Sequence, residues 1–117
     1  MTTKRRAIRV GEEILKEVAL LLYERVKDPR VRGVTLTGID LTNDLKEARI
    51  YFSVLPDEEQ SSRAQEGLDR ASGFIRRQIG TRMELKYVPS IIFRRDTTLE
   101  KAAQMEKLFE KIHDSEQ

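Results

Sequence analysis

The side chains best suited to chemistry in this chain are arginines, and they gather around one stretch, Leu68-Asp69-Arg70-Ala71-Ser72-Gly73-Phe74-Ile75-Arg76-Arg77-Gln78-Ile79-Gly80. Arg70, Arg76 and Arg77 bracket Ser72-Gly73, and Arg82 and Lys86 follow closely. A guanidinium keeps its charge at any ordinary pH and presents donors in a planar fork, which suits phosphate oxygens. Nothing nearby in sequence supplies an acid, base or nucleophile to go with them. His113, the single histidine, lies near the end of the chain. Glu12-Glu13 and Glu58-Glu59 are adjacent pairs that point in different directions on a helix, and Ser53, Ser61, Ser62, Ser72 and Ser90 have no base partner. The absence of cysteine excludes disulfides, thiolate catalysis, zinc ribbons and iron–sulfur clusters. The glycines (Gly11, Gly33, Gly38, Gly67, Gly73, Gly80) never form G-x-x-G or G-x-G-x-x-G, and no phosphate-binding loop with a following Lys-Ser or Lys-Thr occurs. Binding is the expected chemistry; no catalytic residue, metal ligand or cofactor is expected.

The arginines depend on the element that carries them. Leu68, Ala71, Ile75 and Ile79 recur at the steps of one helical face, yet Ser72-Gly73 interrupts it, and an internal glycine costs about 1 kcal/mol relative to alanine. Gly/Ser pairs are a recognised cause of sharp bends, so the spacing predicts two short helices joined at a kink formed by Ala71, Ser72 and Gly73. A break there would free backbone N–H donors at the start of the second helix, beside Arg70, Arg76, Arg77 and Arg82, where an anion could sit. The alternative is a corner whose glycine simply permits close packing.

The remaining elements read more plainly. Arg5 to Lys27 is a long amphipathic helix with Ile14, Val18, Leu21 and Leu22 on one side, stopped by Asp28-Pro29. Val34 to Leu41 alternates and then loses phase at Gly38, which predicts a strand with a bulge. After Thr42-Asn43-Asp44, Glu47 to Leu55 is a second strand with Ala48, Ile50, Phe52 and Val54 on one face, so the two form an antiparallel hairpin with one buried face. An acidic loop from Pro56 to Glu59 leads to a possible capping box, Ser62 with Gln65. Ser90 to Arg95 is a third strand after Pro89, and Thr97 with Glu100 could cap a last helix over 97–112, expected to be the least firmly attached element. Phe52, Phe93 and Phe109 fit core positions, with Phe74 a further candidate, leaving Tyr51, Tyr23 and Tyr87 as candidates for exposure.

With 117 residues and no linker, one domain is expected: 1–96 as the body and 97–117 as a helix and tail added to it. No apolar run reaches the length of a membrane span, and the basic N-terminus lacks the apolar stretch of a signal peptide, so the expected location is cytoplasmic and away from membrane. The net charge of +2 hides a division along the chain. Lys4, Arg5, Arg6 and Arg9 stand without an acid among them. Arg25, Lys27, Arg30 and Arg32 face only Asp28, and Arg70, Arg76, Arg77, Arg82 and Lys86 outnumber Asp69 and Glu84. Residues 55–66 and the tail from Asp96 are acidic. Blocks of one sign from distant segments are the footprint of a nucleic-acid binder when they meet on one side.

The order helix, strand, strand, helix-kink-helix, strand matches an α+β, type II KH-like domain with a three-stranded sheet, a small RNA-binding fold. The segments narrow it further. Arg9-Val10-Gly11-Glu12, Asp28-Pro29-Arg30, Val34-Thr35-Leu36-Thr37, Asp44-Leu45, Ala48-Arg49-Ile50-Tyr51, Ala71-Ser72-Gly73-Phe74-Ile75-Arg76 and Pro89 through Phe93 to Asp96, in this order, resemble the ribosome-binding factor A family of bacterial small-subunit assembly factors. The resemblance implies that an Ala-x-Gly kink, here Ala71-Ser72-Gly73, stands where other KH domains have G-x-x-G. It also implies binding to small-subunit rRNA in the immature small ribosomal subunit, a role in maturing the rRNA 5′ end, release helped by a small GTPase, an association with cold adaptation, and a monomeric state. The last helix falls in the family's variable region.

With few aromatics, recognition of backbone and shape is expected over base stacking. The expected RNA-binding residues form two clusters. One is Lys4, Arg5, Arg6, Arg9, Arg30 and Arg32; the other is Arg70, Arg76, Arg77, Arg82 and Lys86, with Ser72 and Gly73 at the bend. The competing function is a protein-binding adaptor that uses the exposed sheet face (Arg49, Tyr51, Ser53) or the last helix. A nuclease or RNA-modifying enzyme is disfavoured by the missing metal-binding clusters.

Overall fold

A computed structural model describes residues 3–54 and 58–116. The elements run α1 (Thr3–Glu24), a single 3₁₀ turn (Pro29–Val31), β1 (Thr35–Leu41), β2 (Glu47–Ser53), α2 (Glu58–Arg82), β3 (Ser90–Arg95) and α3 (Thr98–Glu116). Among the described residues the strands form one sheet in the order β1-β2-β3, with β1 antiparallel and β3 parallel to the central β2. Strand β2 alternates buried and half-buried positions along its whole length. Its inward side chains Ala48, Ile50 and Phe52 meet Ile14, Val18 and Leu21 of α1 and Leu68, Ile75 and Ile79 of α2, all without solvent contact. The aliphatic residues therefore condense between two helices and one face of the sheet, and the other face stays half-wet.

The predicted break in α2 is absent. One 25-residue helix passes through Ala71, Ser72 and Gly73. The energetics favour continuity: the glycine costs about 1 kcal/mol, whereas each large aliphatic residue the helix buries contributes about 1.5–3 kcal/mol. A break would misalign Ile75 and Ile79 with Leu68. The Ser72 hydroxyl donates to the Asp69 carbonyl at 2.8 Å, a bond made on the helix's own backbone. Nor does Gly73 serve close packing, since it is exposed and a Cβ there would meet only the Arg77 guanidinium, at 3.6 Å. The close approaches lie elsewhere on α2. A Cβ on Gly67 would come within 3.0 Å of Val31 in the 3₁₀ turn, and one on Gly80 within 2.7 Å of a Val88 methyl.

Other boundaries move for identifiable reasons. Helix α1 ends at Glu24 rather than Lys27, and Asp28, extended before Pro29, instead caps the 3₁₀ turn by accepting from the Arg30 N–H at 3.0 Å. Helix α2 starts at Glu58, so the Ser62–Gln65 capping box is not used; Gln65 donates to Asp69 at 2.8 Å and to the Phe93 carbonyl at 2.9 Å, tying α2 to β3. Strand β2 ends at Ser53; Leu55 and the Pro56-Asp57 part of the expected acidic loop lie outside the described residues. The bulge is where the lost phase put it. Register passes from Leu36 opposite Phe52 to Gly38 opposite Tyr51, leaving Thr37 as the extra residue.

The freed Thr37 hydroxyl donates to Asp96 at 2.7 Å, while the other Asp96 oxygen accepts the Thr98 N–H at 2.9 Å. Asp96 is thus the cap of α3, and Glu100 pairs with Arg95 instead of closing a box with Thr97. Helix α3 runs beyond residue 112 and is exposed from Lys101 to Ser115; Phe109, expected in the core, is 63% exposed. Phe52 and Phe93 are buried, and Phe74 is half-buried with the Arg25 guanidinium 6.0 Å from its ring centre.

Two outcomes follow for stability. Gly73→Ala is expected to raise the urea midpoint by the equivalent of about 0.5–1 kcal/mol. Gly80→Ala is expected to lower it by about 1 kcal/mol, because β-branched Val88 must move; a destabilised Gly73→Ala protein would mean that residue 73 is not in regular helix. The second outcome concerns acid. Hydrogen bonds from the Arg30 side chain and N–H hold the Asp28 carboxyl down at about 2, and bonds from Thr98 and Thr37 hold Asp96 at about 2. Both unfold to about 3.9, so their contribution is complete above that value and is lost as pH falls toward 2. The urea midpoint should decline across this window, and less steeply in an Asp28→Asn, Asp96→Asn double variant.

Candidate nucleic-acid interface

The outward face of α2 carries Arg63, Arg70, Gly73 and Arg77, at steps of seven, three and four that stack them in one stripe. All four are exposed. From Arg63 to Arg77 the stripe is about 20 Å long at helical rise, and a continuous α2 keeps that spacing rigid. The backbone at Gly73 is the one place in the stripe where a ligand could approach without a side chain between.

At the C-terminal end of this stripe lies a cleft of about 560 Å³ built from four separate segments. Arg6 enters from the first turns of α1, Lys46 from the β1–β2 turn, Arg76 from α2, and Lys86 from the α2–β3 loop. Leu45, Leu85 and Val88 line it as well, with Tyr87, Ser90 and the Asp44 carboxylate. Arg76 donates to the Val88 carbonyl at 3.0 Å, which fixes the guanidinium against the loop. The Lys86 ammonium sits 5.5 Å from the Tyr87 ring centre. A shallower depression shares Arg76, Lys86, Tyr87 and Val88 with the cleft and adds Arg77, so cleft and stripe are continuous.

Two turns hold the cleft open. In the first, Thr42 donates its hydroxyl to Asp44 at 2.7 Å, Asp44 accepts the Lys46 N–H at 3.0 Å, and the Leu45 N–H reaches the Thr42 carbonyl at 2.8 Å. These bonds from Thr42 and Lys46 hold the Asp44 carboxyl below its usual range. In the second, α2 ends with the Leu85 N–H on the Gly80 carbonyl at 3.2 Å. Each turn needs a left-handed residue, Leu45 (φ 61°) and Glu84 (φ 51°), and these are the only non-glycine residues with positive φ among those described. Left-handed geometry costs a side-chain-bearing residue about 1–2 kcal/mol. Such strain concentrates at functional sites. The start of α1 shows the same conflict. Its first turn has no acid, and Lys4, Arg5 and Arg6 face the positive end of the helix dipole, an arrangement that a bound anion would relieve.

The structure regroups the two expected clusters. Helix α1 has 22 residues and is about 30 Å long, which separates Lys4, Arg5, Arg6 and Arg9 from Arg30 and Arg32 beyond its far end. Arg6 joins Arg76 and Lys86, whereas Arg30 and Arg32 line a different depression with Arg63 and Glu59. Arg30 is committed to structure: its guanidinium forks onto Asp28, 2.6 Å at the nearest pair, lies 3.6 Å from Glu66, and is half-buried. Arg82 bridges to Glu17 of α1 at 3.1 Å. Ser72 spends its hydroxyl on the helix backbone. Lys4, Arg9, Arg32, Arg70 and Arg77 are exposed. Sequence reading missed Lys46, Arg63 and Tyr87. The seven-residue repeat of Arg63, Arg70 and Arg77 was a usable signal once the helix is taken as unbroken; the turn that swings Lys46 toward α2 left none.

With this geometry in hand, likeness to known proteins is informative. The sequence profile described as Ribosome-binding factor A matches residues 6–109. Ribosome-binding factor A of Halothermothrix orenii is 38% identical over 114 residues, covering 97% of this chain and 93% of the relative. The solution NMR structure of a Thermotoga maritima protein, proposed to be a ribosome binding factor A, superposes with a TM-score of 0.71 at 32% identity, covering 80% of this chain and 89% of that one. Thermus thermophilus ribosome binding factor A coordinates, fitted into the cryo-EM map of a 30S complex, share the fold at a TM-score of 0.63 and 18% identity, covering 77% of this chain and 94% of that one. A profile match that takes in both α1 and most of α3, and a relative aligned over almost its full length, place the chain in the ribosome-binding factor A family.

Proposed function

We propose that this protein is a non-catalytic RNA-binding factor in late maturation of the small ribosomal subunit, engaging rRNA of immature subunits and aiding formation of its 5′ end. The observation that carries the reading is the convergence of Arg6, Lys46, Arg76 and Lys86, from four segments, on one cleft joined to the arginine stripe of α2. Membership of a family named for ribosome binding supports it, as does the 30S complex into which the Thermus thermophilus protein's coordinates were fitted. Arginine forks and a lysine around a cleft bind phosphate through charge-assisted bonds and release counterions as they do so. Cytoplasmic action as a monomer, KH-like engagement of RNA, a part in cold adaptation and release by a small GTPase belong to the same proposal through the family resemblance. Among the described residues no cluster of His, Asp and Glu could hold a metal ion, and no helix is long and apolar enough to cross a membrane.

One feature favours the adaptor as a second reading. Met105, Leu108, Phe109 and Ile112 of α3 all face solvent, an apolar surface that a partner protein could cover. Digestion with RNase separates the two, because only an adaptor retains its partner after the RNA is gone.

Co-sedimentation with immature small subunits, compared with mature ones, tests the main reading. Four to six phosphate contacts should lower affinity roughly 50- to 1,000-fold between about 50 and about 200 mM salt. A flat salt response would contradict it. Reversing both charges in Arg76→Glu, Arg77→Glu should weaken association at least about tenfold with the melt almost unchanged, since both side chains are exposed. A large loss of stability would make them structural instead.

A further inference from the structure

We infer that the cleft between α1, the β1–β2 turn and the α2–β3 loop holds a single unpaired nucleotide, its base against Tyr87 and the apolar floor and its phosphate among Arg6, Lys46, Arg76 and Lys86. This rests on the RNA-binding reading above and goes beyond the recognition of backbone and shape expected from composition. A duplex presents phosphates and hydroxyls on a continuous surface and asks only for charge matched to it. The stripe of Arg63, Arg70 and Arg77 answers that need by itself. The cleft is different, because Leu45, Leu85 and Val88 form a floor that no phosphate would wet, below a rim of cations. At about 560 Å³ it is within the range of small-ligand pockets, large enough for one nucleotide.

Tyr87 is the second element of the case. It is 79% exposed, packs into no core, and makes one described contact, with the Lys86 ammonium 5.5 Å from its ring centre. The ring borders both the cleft and the adjoining depression with Arg77, so a base stacked on it would leave the next phosphate beside Arg77. The third element is backbone. Leu45 and Glu84, the strained left-handed residues, stand in the two turns that deliver Leu45, Lys46, Leu85, Lys86 and Tyr87 to this place. The Asp44 carboxylate on the rim is drawn into its own turn by Thr42 and the Lys46 N–H, which keeps it from capping the cations.

Fluorescence anisotropy of the full chain with three labelled RNAs tests this: a single-stranded octamer, the same octamer with every base removed, and a hairpin stem. Tyr87→Ala should reduce the preference for the octamer over the hairpin about tenfold, Tyr87→Phe should restore it, and the Tyr87→Ala penalty should vanish on the abasic strand. Tyr87→Ala with an unaltered preference, in a protein that still binds all three RNAs, would overturn the nucleotide assignment and leave the RNA reading standing. Failure of the unmodified chain to bind any of the three would overturn both. Tyr87 is exposed, so circular dichroism of the variant should match the parent protein.

Discussion

The continuity of α2 is the constraint on which the rest of the molecule turns. Leu68, Ile75 and Ile79 lose all solvent contact against β2 and α1, and they do so only if the helix keeps one phase from end to end. That burial outweighs the penalty of a glycine in mid-helix several times over. A rigid rod then fixes everything on its far side: the spacing of Arg63, Arg70 and Arg77, the bare backbone at Gly73, and the position from which Arg76 reaches the loop before β3. Gly67 and Gly80 let the rod lie close to the 3₁₀ turn and to Val88, so packing and presentation of charge come from the same helix.

Charge is arranged against local preference in this protein, and the places where it is so are adjacent. A first helical turn rich in Lys and Arg opposes the helix dipole, two turns hold bulky residues left-handed, and an exposed tyrosine is left without a core. Folding alone would favour none of these. Elsewhere the electrostatics are quiet. Arg30 is absorbed by Asp28 and Glu66, Arg49 by Glu47, and Arg82 by Glu17. The contrast distinguishes cations that fasten the fold from those that remain available to an anion, a distinction the net charge conceals.

Much of the fold was legible because it rests on periodicity. The alternation of Ala48, Ile50 and Phe52 gave β2, the phase slip at Gly38 gave the bulge, and Ser90 to Arg95 has the bounds read from sequence. The break at Ser72-Gly73 was misread because propensity is a local quantity, while the burial that overrides it comes from residues far away in sequence. The capping boxes failed for a related reason: Gln65 found the Phe93 carbonyl and Glu100 found Arg95, partners visible only after folding. Phe109 follows the spacing of a core residue on a helix that has no core to join. The interface was half legible. Arginine clusters can be counted, but which ones meet depends on the length of α1 and on turns whose direction no pattern of residue types encodes.

The central claim is that separate segments combine into one anion-binding cleft. Its most direct test is an NMR titration of the isotopically labelled chain with single-stranded RNA, following backbone amides together with arginine and lysine side chains. The account predicts that the largest shifts cluster at Arg6, Lys46, Arg76, Lys86 and Tyr87 and continue along α2 through Arg77. Shifts centred on Arg30 and Arg32, on the outer sheet face or on α3, with the cleft unmoved, would contradict it.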